Sequence, residues 1–304
     1  MTKKSEIQQL VRRLSKTEKV LFGTFSSIVA TVLVHPLDVI KVRLQVHEKS
    51  YNTRQMAWLM LKCEGASALY RGLTAGLMRQ ATATTTRLLV YNLLNDHLKR
   101  LHGLPNTTTL PTQEKVLIGL CAGLAGAFVG NPSEVALVRM MAEGKMEPCG
   151  PCIAKSPYRG VLHALYKIAR DDGLCTLWRG GALTMGRSVV LSIAQIGVYA
   201  EVNTRVGKRK ILKDSTLHVF TSIVSSFVST VLSLPIDLIK TRYQVRRDNM
   251  TQSAIFKDIV QRKGILYLWK GIVPYYIRMA VHTASTLIIM EKITEILYYE
   301  KKDT

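Results

Sequence analysis

Seven residues beyond Gly72, Gly180 and Gly271 stand Arg79, Arg187 and Arg278, each inside an apolar stretch. At helical rise that is ~10 Å, about two turns, into each stretch. An arginine there is costly unless it faces water, an acid or a ligand. One such arginine could snorkel to a head group; three at equal depth, with no acid nearby in sequence, call for a shared ligand. Arg87 follows Arg79 by eight residues, so it lies on nearly the same helix face. Ser188 adjoins Arg187, and Gln195 lies two turns further, where it could hydrogen-bond a keto or hydroxyl group or simply a neighbouring helix. Guanidinium forks bind carboxylates bidentately, so the chemistry is reversible capture of an anion with two carboxylates.

A second constellation sits at the ends of other apolar stretches. Pro36-Leu37-Asp38-Val39-Ile40-Lys41-Val42-Arg43 recurs as Pro235-Ile236-Asp237-Leu238-Ile239-Lys240-Thr241-Arg242. A degraded copy, Pro132-Ser133-Glu134-Val135-Ala136-Leu137-Val138-Arg139, lies between them, and the prolines are 96 and 103 residues apart. The chain is therefore a tandem array with a period near one hundred residues. Proline late in a helix removes a backbone hydrogen bond and should kink it. Three kinked helices related by threefold pseudosymmetry would gather Asp38, Lys41, Glu134, Asp237 and Lys240 at one mouth, as a gate.

The third signal is aromatic-base-Gly, at Tyr70-Arg71-Gly72, Trp178-Arg179-Gly180 and Trp269-Lys270-Gly271, just before the arginine-bearing stretches. Free N–H groups and the dipole at a helix start make anion sites. Each triplet follows an earlier glycine, Gly65, Gly173 or Gly264, after four intervening residues. A glycine-permitted turn with an interfacial aromatic anchor is the plainer reading of the same residues.

These signals need elements long enough to carry them. Apolar residues are blocked into six segments, near 20–44, 73–99, 114–142, 181–206, 216–244 and 273–298. Each is about the ~20 residues that cross a bilayer. The segments also contain Ser, Thr, Gly and Arg, which suits spans lining a polar interior and keeps mean hydropathy at only +0.12. Small residues such as Gly119, Gly123 and Gly126 would let helix backbones approach.

A net charge of +21 would suit a nucleic-acid binder, but the bases are spread through every loop without interleaved aromatics. Contact with anionic lipid head groups and an anion-attracting interior fit better. Five cysteines form neither a disulfide framework nor a zinc pattern. Cys149-Gly150-Pro151-Cys152 has redox-motif letters, but sits in a Pro/Gly-rich insert without the required strand and helix. No cleavable presequence is expected, because residues 1–19 include Glu6 and Glu18 and lack an apolar core. No metal cluster and no acid/base or nucleophile constellation suggests an enzyme. His35, beside the first gating proline, is expected as a cavity or head-group contact.

The two linked patterns, three times over, resemble the mitochondrial carrier family across nearly the whole chain. Leu77 to Arg87, Glu134 to Met140, and Pro274-Tyr275-Tyr276 with His282-Thr283 are most similar to its 2-oxoglutarate/malate branch. The resemblance implies an all-α membrane protein: six transmembrane helices in three pseudo-symmetric repeats (1–105, 106–208 and 209–304), forming one barrel-like bundle with short matrix-side amphipathic helices. It further implies a monomeric inner-membrane antiporter with termini facing the intermembrane space. Substrate contacts would be Arg79, Ala83, Arg87, Arg187, Ser188 and Arg278, with Ala83 in place of the branch's tyrosine.

By the family's cyclic pairing, Glu134 would pair with Lys240 and Asp237 with Lys41, leaving Asp38 without a partner because Leu137 replaces the third base. Gln45 and Gln244 match the glutamine that braces such pairs. Cardiolipin would sit at Arg71-Gly72, Arg179-Gly180 and Lys270-Gly271, with no other cofactor. Departures are Leu137, Lys263 where an acid is expected, and a cytosolic mouth whose Tyr91 to Asn95, Tyr199 to Asn203 and Ile289 to Ile293 all break the aromatic-acid-x-x-base pattern. That mouth should be a weak gate. Dicarboxylate/phosphate and uncoupling-type carriers share the arginine arrangement, although the uncoupling type usually keeps a base where Leu137 stands. A non-transporting scaffold is the rival from another class.

Overall fold

The structure, a computed structural model, describes residues 16–47, 51–103, 105, 110–143, 158–208, 214–246 and 250–303. Within them every regular element is helical, and the order repeats three times: long helix, short helix, 3-10 turn, long helix. The first repeat gives α1 (Lys16–Val46), α2 (Thr53–Glu64) and α3 (Leu73–Leu101). The second gives α4 (Thr112–Ala142), α5 (Val161–Asp171) and α6 (Gly181–Lys208). The third gives α7 (Asp214–Val245), α8 (Gln252–Lys263) and α9 (Ile272–Asp303). The six long helices coincide with the six apolar segments of the sequence.

Pro36, Pro132 and Pro235 all lie inside continuous helices, so none of them ends its element. The short helices have local start and stop signals. The Gln55 carbonyl oxygen accepts the Asn52 N–H at 3.0 Å ahead of α2, and the Thr251 hydroxyl accepts the Ala254 N–H ahead of α8. Gly65 and Gly264, both at φ 80°, then turn the chain in a region closed to most side chains.

The long helices touch in a closed ring, α1–α3–α4–α6–α7–α9 and back to α1. The first helices of the three repeats also touch one another across the middle. Inside, serines and threonines join the apolar core: Ser26, Thr31, Ser225, Ser229, Thr230 and Ser233 are buried. Outside it is apolar: Leu21, Leu33, Leu93, Phe128, Ile193 and Ile288 are exposed, with side chains on five of the six long helices, and Phe227 and Leu232 add the sixth. Large apolar side chains exposed on all six long helices make a more apolar outer surface than a water-soluble bundle usually carries. Two stretches, Val20–Val46 and Gln113–Ala142, are long and apolar enough to cross a membrane by hydropathy alone.

Candidate functional site

Each aromatic-base-Gly triplet packs against the first helix of the next repeat. A Cβ on Gly72 would stand 3.2 Å from Met140, and one on Gly180 would stand 3.2 Å from Gln244. One on Gly271 would stand 3.9 Å from Gln45 and Lys41. All three glycines have φ between 79° and 91°, so the backbone disfavours other residues at each, and at Gly72 and Gly180 the space is tight as well. The second base of each charged motif makes the same cyclic step. Arg43 donates to Met141 O at 3.1 Å, Arg139 to Gln244 O at 3.0 Å and Arg242 to Gln45 O at 2.8 Å. Arg43 is also ion-paired with Glu64, and Arg139 with Asp172. Lys263 removes the corresponding acid in the third repeat, and Arg242 turns instead to the Tyr267 hydroxyl at 3.1 Å.

These seams bring the charged ends of α1, α4 and α7 together. Lys41 Nζ lies 2.9 Å from Asp237 and Lys240 Nζ lies 2.7 Å from Glu134, and all but Glu134 are buried residues. Asp38 is not alone, contrary to the expectation. It is ion-paired with Arg278 of α9, which supplies the cation that Leu137 cannot. Gln45 and Gln244 do not brace the ion pairs. Gln45 accepts from the Thr241 hydroxyl at 3.0 Å and Gln244 donates to Arg179 O at 3.4 Å, so both bridge helix seams. Met141 enters the same layer through its carbonyl.

Above this layer, on the side of the C-terminal half of α3 and the start of α4, lies a cavity of about 660 Å³. Arg79, Ala83, Arg87, Arg187 and Ser188 line it. A smaller cavity of about 90 Å³ lies among the gate residues and includes Arg278. Arg79, Glu134 and Arg187 line both, so they form the floor of one and the ceiling of the other. The three arginines at equal sequence depth do converge, but they are not equivalent. Arg187 Nε lies 2.5 Å from Asp237, and Arg278 is held by Asp38. Arg79 has a buried Nε without a hydrogen-bond partner, and its guanidinium joins no ion pair among the described residues. Arg87, an exposed residue, lines the cavity higher up.

Ala83 packs at the α3–α4 seam: a Cβ on Gly130 would come within 2.8 Å of its own Cβ. Gln195 falls among residues whose side chains are outside those described, as do Tyr199, Glu201, Asn203 and Glu291 of the other mouth; Cys149 and Cys152 are outside the described residues entirely. Tyr91 lines the large cavity.

Sequence spacing missed Tyr275. Its ring is fully buried with Lys41 Nζ 3.8 Å from the centroid, and its hydroxyl accepts from Arg187 at 2.8 Å. It therefore joins a gate lysine to a ring arginine. The aromatic pair Pro274-Tyr275-Tyr276 was visible, but not which tyrosine points inward.

His35 is a buried structural contact rather than a cavity residue, its Nε2 lying 2.9 Å from Arg71 O. The bases expected to hold lipid turn into the protein. Arg71 is ion-paired with Glu64 at 2.8 Å and donates to Glu143 O at 2.7 Å. Arg179 stacks 4.5 Å from the Tyr243 ring, and Lys270 donates to the Tyr267 hydroxyl at 2.9 Å.

A ring of six helices with an arginine-floored cavity over a charged closure is the architecture of a solute carrier. The chain belongs to the mitochondrial carrier family: the profile described as "Mitochondrial carrier protein" matches residues 12–102, 108–210 and 213–301. It is similar to the mitochondrial 2-oxoglutarate/malate carrier protein of Mus musculus, 39% identical over 297 residues, 93% of this chain and 92% of that protein. The protein of the same name from Caenorhabditis elegans is 35% identical over 286 residues, 90% of each chain. Mitochondrial uncoupling protein 4 of Arabidopsis thaliana is 31% identical over 312 residues, 90% of this chain and 96% of that one.

Proposed function

We propose that this protein is an antiporter of the mitochondrial inner membrane that exchanges small dicarboxylates, such as 2-oxoglutarate and malate, by alternating access. The observation that carries the reading is Arg79, whose buried Nε has no hydrogen-bond partner, on the floor of a 660 Å³ cavity, with Arg87 on the same wall. A diacid is long enough to engage one arginine with each carboxylate, and the fork geometry favours carboxylate over a point-like anion. The large apolar side chains exposed on all six long helices, around an interior that includes serines, threonines and charged residues, support six membrane-spanning helices acting as one transport domain of three repeats, 1–105, 106–208 and 209–304. In this reading the ends bearing Asp38, Glu134 and Asp237 face the matrix and are shut, and both termini lie in the intermembrane space. Cardiolipin head groups sit on the N–H groups that follow Gly72, Gly180 and Gly271, and the monomer suffices for transport.

The test is uptake of labelled 2-oxoglutarate by liposomes that contain the purified protein and are preloaded with one anion at a time. Exchange against malate, absent from empty liposomes and from those loaded with chloride, supports the reading. Proton leak without anion exchange, read by an internal pH dye, would favour the uncoupling-type alternative. Neither activity would leave the scaffold reading.

A further inference from the structure

In the gate layer the acids outnumber the motif lysines by three to two, since Leu137 stands where the third would be. The structure resolves the imbalance in a direction that the repeat symmetry does not suggest. Glu134–Lys240 ties α4 to α7, and Asp237–Lys41 ties α7 to α1. A base at 137 would have closed the circuit by tying α1 to α4. Instead Arg278 reaches in from α9 and takes Asp38, so the third tie runs between α1 and α9. Leu137, Asp38 and Arg278 line the same 90 Å³ cavity, so the missing base and its substitute share one place.

We propose that Arg278 is the third gate cation of this chain, and that a substrate carboxylate releases the gate by drawing Arg278 away from Asp38. The second half rests on the dicarboxylate reading above. Among the three ties this one is separable. When Arg187 turns to a ligand, Asp237 keeps Lys41 at 2.9 Å. When Arg278 turns to a ligand, Asp38 keeps no cation with which it forms an ion pair among the described residues, and it shares its cavity with Glu134 and Asp237. The tie between α1 and α9 is then lost while Lys41 and Lys240 keep their own acids, and the closure opens at that seam. A diacid bound at Arg79 with one carboxylate has its second free to make this exchange. Binding and unlocking are then a single event at the α1–α9 seam, and the unloaded gate stays shut because Arg278 has no competitor.

Two variants test this in the full-length protein in liposomes. Leu137→Lys supplies the base that the substrate cannot draw away. It should raise the unliganded Tm, lower the KM for 2-oxoglutarate roughly fivefold, the worth of one partly screened ion pair, and lower Vmax. Asp38→Asn removes Arg278's competitor: KM should again fall, the unliganded Tm should drop, and uptake should appear in vesicles without internal countersubstrate. Wild-type KM and Vmax in both variants would overturn the proposal. Should Leu137→Lys fail to fold, the Tm of Asp38→Asn, Arg278→Gln and the double variant, without substrate, decides the first half. Coupled effects support the pair, and simple addition overturns it. A wild-type protein that exchanges no dicarboxylate overturns the functional reading and the release step with it, whereas coupling in the substrate-free cycle would still establish Arg278 as a gate cation.

Discussion

Arg79 is the residue at which stability and function should part most clearly. Its buried Nε has no hydrogen-bond partner and its guanidinium joins no ion pair among the described residues, so removing the side chain costs the unliganded fold little. Arg79→Ala should leave the unliganded Tm nearly unchanged, while losing about 2 kcal/mol or more of carboxylate binding, roughly thirtyfold in KM. Arg79→Lys should recover only part, because an ammonium lacks the fork. Unimpaired exchange in Arg79→Ala would remove this residue from the site. Tyr275 should behave in the opposite way. Tyr275→Phe keeps the ring under Lys41 but deletes the acceptor for Arg187, a hydrogen bond to a charged group worth about 1.5–3 kcal/mol. Both the unliganded Tm and the exchange rate should fall, and a Tm equal to wild type would show that the hydroxyl does not hold Arg187. Spacing alone made the arginines legible, since seven residues after a glycine fixes depth in any helix. It could not show that Asp237, fifty residues from Arg187, and Asp38, more than two hundred from Arg278, would hold two of the three.

Among the elements, the six long helices and their order were legible because a twenty-residue apolar block between charged loops has few alternative readings. The seams between them were not. Gly119, Gly123 and Gly126 look alike in sequence, yet a Cβ at Gly119 would meet nothing within 4 Å and one at Gly126 would stand 2.8 Å from Ala83 O. Gly119→Ala should therefore gain helix propensity, up to about 1 kcal/mol. Gly126→Ala should push α3 from α4 and lower the Tm despite the same propensity gain. Equal shifts of one sign in thermal unfolding would mean that the α3–α4 approach is softer than the structure has it.

The start of α9 carries a pH signature. Burial, and then the neighbouring charges of Lys263 and Arg242, lower the Lys270 ammonium from 10.5 to about 8. Because the folded value is the lower one, the charged lysine destabilises the fold below pH 8. That cost is relieved as pH rises from about 8 towards 10.5. An anionic lipid head group at this helix start would raise the value again, so binding should take up protons near pH 8. Cardiolipin titrated into weakly buffered, detergent-solubilised protein should show that uptake, and Lys270→Arg should abolish it; lipid binding without proton uptake would place the head group elsewhere.

For the molecule as a whole, the threefold pattern was legible in the sequence and its breakage only partly so. Leu137 and Lys263 announce themselves as departures, but not where the orphaned partners go, one of them 240 residues along the chain and the other 25. Asp38 turns to α9, and Arg242 turns to Tyr267. The two lysine ties therefore ought not to behave alike, although the motif writes them identically. Glu134 is ion-paired with Lys240, whereas Asp237 is shared between Lys41 and Arg187. Exchanging the charges of the first pair, Glu134→Lys with Lys240→Glu, recreates one tie with its sign reversed. Exchanging those of the second, Asp237→Lys with Lys41→Asp, recreates the tie but sets the new lysine against Arg187. Each single change should abolish exchange and lower the Tm, because an uncompensated buried charge costs about 3–5 kcal/mol. The first double variant should regain more of both Tm and exchange rate than the second. Combining the second with Arg187→Gln should restore its Tm without restoring transport, since the ring arginine is then gone. Equal recovery by the two swaps would mean that Arg187 does not share Asp237 in the unliganded protein, and that the gate is as symmetric as its motif.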